Sequence, residues 1–512
     1  MKKVYHILFI FTTVCLWSSC ANLDLDPLDT GSRDSWYSSE DEIQRSIGGL
    51  YRTVFFTLNG NESTIDYSPW SDDNQSRASL NFITGGTING ESDQVKKRWQ
   101  NGYKAIARAN ILLEKLEDAN SVGISEEKKQ LYRAQTLFVR ATQYAILTSL
   151  FGDVVYIDKE ISIDEAFEMG RTDREEVMEN VYKDLDEAAH YLPETYGTQR
   201  EFATKGAAYA IKARYALYNE DWELAAQAAK KCMDLQIYEL HPDFEELFIA
   251  STHHAKENIL SWPRSVELKN YLDVGAAMSY CPRNRGGYAS EYPSWELFCS
   301  FLCTDGLPID ESPLFDPQNP FKNRDPRCTA TIVEFGTEHV GVIYNPNPNI
   351  SRVWSAIAGK EITNLDCKTG SQYASYNGLL RKKGVDELWI NDGTFKVDPD
   401  FVFIRYGEVL LTYAEAKIEA NDIDQSVLDA INQVRARAYK KDYAAATGYP
   451  KVTTQDRDKL RQIVRIERRM ELAFEGSIRY MDIIRWKLAE KVLNLPNYGS
   501  VSYTHLRAHE TK

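Results

Sequence analysis

Two stretches of this chain are so rich in alanine at helical spacing that only closely packed helix pairs accommodate them. Thr204 to Tyr218 and Trp222 to Leu235 read as two helices broken at Asn219-Glu220-Asp221. Ala207, Ala208, Ala210, Ala213 and Ala216 recur along the first, and Ala225, Ala226, Ala228 and Ala229 along the second. Small side chains let helix backbones approach closely, so the pair is predicted to fold as a hairpin. Tyr406 to Ala420 and Gln425 to Ala438 repeat the plan, with Tyr413, Ala414, Ala416, Ala430 and Val434. Two hairpins of this size look like tetratricopeptide-type units. One such pair cannot bury its own apolar face, so several have to stack.

The rest of the chain supplies further helices and a contrasting middle. Apolar residues three and four apart predict helices over Asp41 to Phe56, Val95 to Leu116, Glu126 to Leu150 and Glu175 to Leu192. The third ends at a glycine stop, Phe151-Gly152-Asp153, and the fourth at Pro193. Residues 260 to 400 differ: they hold many of the 17 prolines, the turns Gly286-Gly287 and Asp305-Gly306, and no long helical period. Short strands and loops are expected there. Asp66 to Gln94, rich in Asn, Gly, Ser and Asp, is a second long loop. Long loops inside a folded body are more often functional than accidental. The expected fold is therefore mostly α: a tetratricopeptide-like helical-repeat scaffold with an irregular, loop-rich, short-strand middle region. Residues 40–260 and 401–500 are read as parts of one helical body, and 261–400 as the ligand-side region.

The N-terminus carries an address. Lys2 and Lys3 precede a short apolar run from Val4 to Trp17, which has the length of a signal-peptide core rather than a membrane span. Ser18 and Ser19 then precede Cys20 as small residues precede an acylated cysteine. Residues 1–19 are read as a signal peptide, Cys20 as the lipidation site and 20–39 as an acidic tether. Acyl chains plus a tether hold a soluble domain at a membrane without a spanning helix.

Charge and cysteine usage narrow the function. The net charge is −15, and −17 once Lys2 and Lys3 are gone, which disfavours nucleic acid as a partner. The eight cysteines form no CxxC pair and no zinc spacing with histidine. Cys299 and Cys303 would share a face if their segment were helical, and are read as two small buried hydrophobes. No metal and no cofactor are expected. No GxSxG, HExxH or phosphate-binding glycine loop is present.

Nine blocks stand in order along the chain. They run from LDLDPLD (Leu23 to Asp29) and WYSSEDEIQRSIGGLY (Trp36 to Tyr51) through WQNGYKAIARANILLEKL (Trp99 to Leu116) and LYRAQTLFVRATQYAILTSLFGDVV (Leu131 to Val155). FATKGAAYAIKARYAL (Phe202 to Leu217), RDPR (Arg324 to Arg327) and FIRYGEVLLTYAEA (Phe403 to Ala416) follow. INQVRARA (Ile431 to Ala438) and ERRMELAFEGSIRYMDIIRW (Glu467 to Trp486) complete the set. Together the nine resemble the SusD/RagB family of outer-membrane nutrient-binding lipoproteins. Residues 501–512 depart from the pattern and read as a non-native tail.

The resemblance implies a cell-surface lipoprotein of the outer membrane that binds an oligo- or polysaccharide and delivers it to a SusC-like TonB-dependent transporter. It implies a membrane contact through the lipid anchor only, and no catalysis. A glycoside hydrolase and a peptide-binding receptor of the same fold are the alternatives. Sugar rings present apolar C–H faces that lie on Trp or Tyr, while their hydroxyls need planar polar partners. The candidate ligand residues are Tyr67, Trp70, Asp72, Asp73, Asn74 and Arg77 in the first loop, with Trp262, Tyr288, Tyr292 and Trp295 in the middle region. Arg405, Glu408, Glu415, Glu467, Arg468 and Arg485 are expected to form ion pairs that lock the scaffold.

Overall fold

A computed structural model describes residues 36–57, 70–77, 83–117, 123–197, 202–389 and 393–495. The leader, Cys20, most of the tether, Tyr67 and the 501–512 tail lie outside the described residues.

The helices form where side-chain chemistry starts and stops them. Helix α1 (Glu40–Leu50) begins at a capping box in which Ser39 and Glu42 satisfy each other's backbone N–H groups. It stops six residues before the predicted end, and a short 3-10 turn covers Thr53–Phe55. Helix α2 spans Asp93–Glu117, and α3 (Glu126–Phe151) ends at Gly152, whose φ of +69° only glycine adopts without strain. Helix α4 is Arg174–Tyr191. The first alanine hairpin is α5 (Lys205–Tyr218), capped by the Thr204 hydroxyl, and α6 (Trp222–Asp234). The second is α7 (Tyr406–Glu419) and α8 (Gln425–Ala438), followed by α9 (Arg457–Glu471) and α10 (Ile478–Arg485).

These helices stack in sequence: α2 on α3, α3 on α4, α4 on α5, α5 on α6. The next layer is α7, which packs on α6 and then on α8 and α9, although about a third of the chain separates it from α6. The alanines carry this closeness. Ala207, Ala210, Ala216, Ala225, Ala229, Ala414 and Ala416 are all buried in a core that runs from Ile43 to Met481. No helix among the described residues is long and apolar enough to cross a membrane.

The middle region leaves and re-enters this stack through one neck. Strand β2 (Asn258–Trp262) pairs antiparallel with β8 (Phe401–Arg405). Between them lie β3 (Glu291–Pro293) and a four-stranded antiparallel sheet of β4 (Thr337–His339), β5 (Val342–Tyr344), β6 (Arg352–Ser355) and β7 (Lys360–Thr363). Strand β1 (Asn74–Ser76), from the first loop, pairs with β3. A second core of Leu272, Phe298, Phe301, Leu379 and Trp389 closes against Met470 and Phe474. Cys299 lies on the short helix Trp295–Ser300, which ends before Cys303, so the two share no helical face. All six described cysteines are free.

Buried ion pairs clamp the neck to the C-terminal helices. Arg405, at the end of β8, donates to Glu257 at 2.6 Å, Glu471 at 2.8 Å and Glu475 at 2.6 Å. Arg437 joins Glu257 to Glu471, and Arg327 of the middle region reaches Glu467 at 2.7 Å and Glu471 at 3.1 Å. Glu408 holds Arg214, while Glu415 and Asp482 share Arg468 and Arg485. The scaffold role expected of these residues is what the geometry shows.

Candidate ligand site where the first loop meets the middle region

The first loop is fastened at its base by two arginines of the C-terminal helices. Arg469 of α9 donates to Asp73 at 2.6 and 2.8 Å and to Asp72 at 2.9 Å. Arg479 of α10 grips Asp72 through Nε and Nη2, both at 2.8 Å. Burial opposes ionisation of Asp72, but the two guanidinium groups outweigh it and bring its carboxyl down to about 2. Asp73 is fully buried, and that burial pushes its carboxyl up against the pull of Arg469. Asp72 is therefore held by both arginines, and Asp73 is bonded through Oδ1 and sealed from solvent, which corrects the expectation that they face a ligand. Trp70 precedes them and packs edge-on against Tyr480 at 5.6 Å, partly buried on the helical core.

Beyond this fastening, three segments converge. The β1–β3 pair sets Gln75 opposite Tyr292 and Ser76 opposite Glu291. The Arg77 N–H extends the ladder by donating to the Ser290 carbonyl at 2.8 Å. The third segment is Ser371 to Gly378. Buried Asn377 donates to the Gln75 side chain at 2.9 Å and to the Pro293 carbonyl at 2.7 Å. The Trp295 indole N–H donates to the Asn377 carbonyl at 3.1 Å, and the Tyr344 hydroxyl donates to that of Gly378 at 2.9 Å. Tyr292, only 2% exposed, hydrogen-bonds the Tyr376 backbone from beneath.

This framework presents rings and cations outward. Tyr288 is 41% exposed, Tyr373 51% and Tyr376 44%. Arg77 reaches across the junction: one Nη donates to the carbonyls of both Tyr288, at 2.7 Å, and Tyr373. Its guanidinium lies over the Tyr373 ring at 5.4 Å, with Arg283 also over that ring at 5.8 Å. The Lys368 ammonium stands 3.5 Å from the centroid of the Tyr376 ring. Asn74 donates to Glu291 at 2.8 Å on the flank. Large rings held at this exposure on fixed backbone are suited to lie against the C–H face of a sugar, with donors at their edges for its hydroxyls.

Of the residues singled out in the sequence, the structure brings Asn74, Arg77 and Tyr288 together on this surface. Tyr292 and Trp295 support it from below. Trp262 is a correction: it is 7% exposed, its indole N–H donates to the Tyr51 carbonyl, and its ring packs among Phe56, Phe401 and Phe403 in the main core. Tyr373, Tyr376, Lys368 and Arg283 escaped the sequence reading. The available signal was the segment Tyr373-Ala-Ser-Tyr-Asn-Gly, two rings three apart running into an Asn-Gly turn.

Two other arrangements offer less. A cleft of about 590 Å³ lies among Phe244, Ile249, Glu338, His339, Lys382 and Asp386, but its mouth holds ion pairs such as Lys440–Asp243 and Lys382–Glu245 and no exposed ring. Among the described residues no group of three or more His, Cys, Asp or Glu is placed to hold a metal ion. The carboxylates that a hydrolase reading would use, Asp72, Asp73, Glu467, Glu471 and Glu475, all sit in ion pairs with arginine.

Comparison with known proteins gives a consistent picture. Residues 262–511 match the SusD family model, and residues 23–217 match a model described as starch-binding associating with outer membrane. A SusD-like protein, P2, of Formosa agariphila is 27% identical, over 97% of this chain and 93% of its own. The crystal structure of a SusD-like carbohydrate binding protein from Bacteroides fragilis is 30% identical, covers 91% of this chain and 90% of its own, and superposes with a TM-score of 0.76. Surface glycan-binding protein A from Bacteroides fluxus, 18% identical over 90% of this chain and 91% of its own, shares the fold with a TM-score of 0.62.

Proposed function

Since this chain belongs to the SusD family, we propose that it is a non-catalytic glycan receptor of the outer-membrane surface, held there by a lipid on Cys20, that passes its ligand to a TonB-dependent transporter. The observation that carries the binding half is the trio Tyr288, Tyr373 and Tyr376, exposed on a framework tied together by Asn377, which donates to Gln75 and to the Pro293 carbonyl. Relatives of the same fold are named for carbohydrate, laminarin and surface-glycan binding, which supports a saccharide as the ligand. The absence of catalysis rests on the carboxylates. A glycosidase needs two carboxyls facing one cleft at a defined separation, whereas Asp72 and Asp73 are bound by Arg469 and Arg479 and Glu291 accepts from Asn74.

Titrating the purified protein against a panel of oligosaccharides is expected to give saturable binding with no release of reducing ends. Reducing-end release at enzymatic rates would replace the receptor with a hydrolase. Binding of peptides alone would keep the fold and replace the ligand.

The anchor has its own test. Cys20→Ala is expected to move the protein from the outer-membrane fraction into a soluble one, because a lipid chain supplies the attachment. A variant that stays with the membrane would remove the lipoprotein assignment.

A further inference from the structure

We infer that the ligand of the tyrosine surface is an anionic saccharide, one whose rings carry carboxylate or sulfate groups; this rests on the receptor reading above and narrows it. The chain as a whole is acidic, with a net charge of −15, and would repel such a ligand over most of its surface. The tyrosine surface breaks that pattern. Arg77, Arg283 and Lys368 meet there, and none of the three forms an ion pair with a carboxylate among the described residues. The contrast with the arginines of the scaffold is direct: Arg405, Arg437, Arg469, Arg479 and Arg485 each hold at least one carboxylate.

Two described acids near the cluster, Glu291 and Asp366, are engaged within the fold. Glu291 accepts from Asn74, and its burial pushes its carboxyl up. Asp366 is buried behind the cluster and accepts the backbone N–H groups of Arg283 and Asn284. Lys368 is drawn down from the usual lysine range, first by partial burial and then by the charge of Arg77. Two cations close enough to oppose each other are what an anion placed between them would relieve.

The rings hold these cations in position. With Arg77 and Arg283 over Tyr373 and Lys368 over Tyr376, each cation is supported by an aromatic face. Tyr288 carries no such cation and leaves its ring open for a sugar face. A pyranose lying on Tyr288 would project its acidic substituent toward Arg77, whose Nη already touches the Tyr288 carbonyl. Charge-assisted hydrogen bonds of this type are stronger than those to hydroxyls, and guanidinium matches the geometry of carboxylate and sulfate alike.

The test is calorimetric titration of the full chain with three oligosaccharides of equal length: a neutral glucan fragment, an oligogalacturonide and a sulfated galactan fragment. At least one acidic ligand is expected to bind about tenfold or more tighter than the neutral one, the scale of one charge-assisted hydrogen bond. That advantage is expected to shrink as salt rises from about 0.05 to 0.5 M, since the cations are partly solvated. Preference for the galacturonide or for the sulfated fragment assigns the anion as carboxylate or sulfate. Lys368→Gln removes one charge from an exposed side chain; it is expected to weaken acidic ligands by more than it weakens the neutral one. Equal or tighter binding of the neutral glucan, with Lys368→Gln silent, overturns the anionic ligand and leaves the receptor intact. Failure of all three ligands counts against both.

Discussion

Arg405→Met is expected to lower the stability of the protein by about 3–5 kcal/mol, the cost of removing one partner from a buried charge cluster. Arg405 is 1% exposed and bonds three carboxylates and the Glu471 carbonyl. Without it, Glu257 and Glu471 depend on Arg437 and Arg327, and Glu475 on Lys383. The side chain ends the strand through which the middle region re-enters the stack, so the loss reaches both cores. Arg405→Lys would fare little better, because an ammonium cannot reproduce the planar fork that serves Glu471 and Glu475 together. Denaturant unfolding measures the effect. A change below about 1 kcal/mol would mean that the cluster is no better than neutral side chains of the same size, as some buried triads are.

How far the sequence discloses such a molecule depends on whether the information is periodic. The alanine hairpins were legible because helix contact requires small side chains at fixed spacing; α8 begins and ends where its apolar period does. Gly152 was legible as a stop, since local backbone chemistry determines it. The role of the scaffold arginines followed from the family blocks in which they lie. The site was only half legible. Trp70, Trp262 and Tyr288 are alike in composition and loop context, but one leans on Tyr480, one is sealed in the core and one faces out. That difference arises from long-range partners, Tyr480 for Trp70, Phe401 for Trp262 and the β1–β3 pairing beside Tyr288, which no local pattern encodes. Asp72 and Asp73 looked like ligand acids for the same reason: Arg469 and Arg479, which bind them, come from the other end of the sequence.

The central claim is that the exposed tyrosines, rather than the buried tryptophans, bind glycan. Tyr288 stacked on a ligand contributes roughly 1–3 kcal/mol, by analogy with aromatic stacking on bases, and Tyr373 and Tyr376 support the cations beside it, so losing all three is expected to reduce affinity by about tenfold or more. None of the three rings belongs to either large core, so the melting temperature is expected to stay within a few degrees of the parent. Trp70→Ala serves as the opposite case: it removes packing against Tyr480 and is expected to lower the melting temperature while the folded protein still binds. The decisive measurement is calorimetric titration of the Tyr288→Ala/Tyr373→Ala/Tyr376→Ala variant with whichever oligosaccharide the parent protein binds, alongside its thermal melt. Loss of binding with an unchanged melt is the predicted result; parent-like affinity in the triple variant would contradict the account and move the site elsewhere on the molecule.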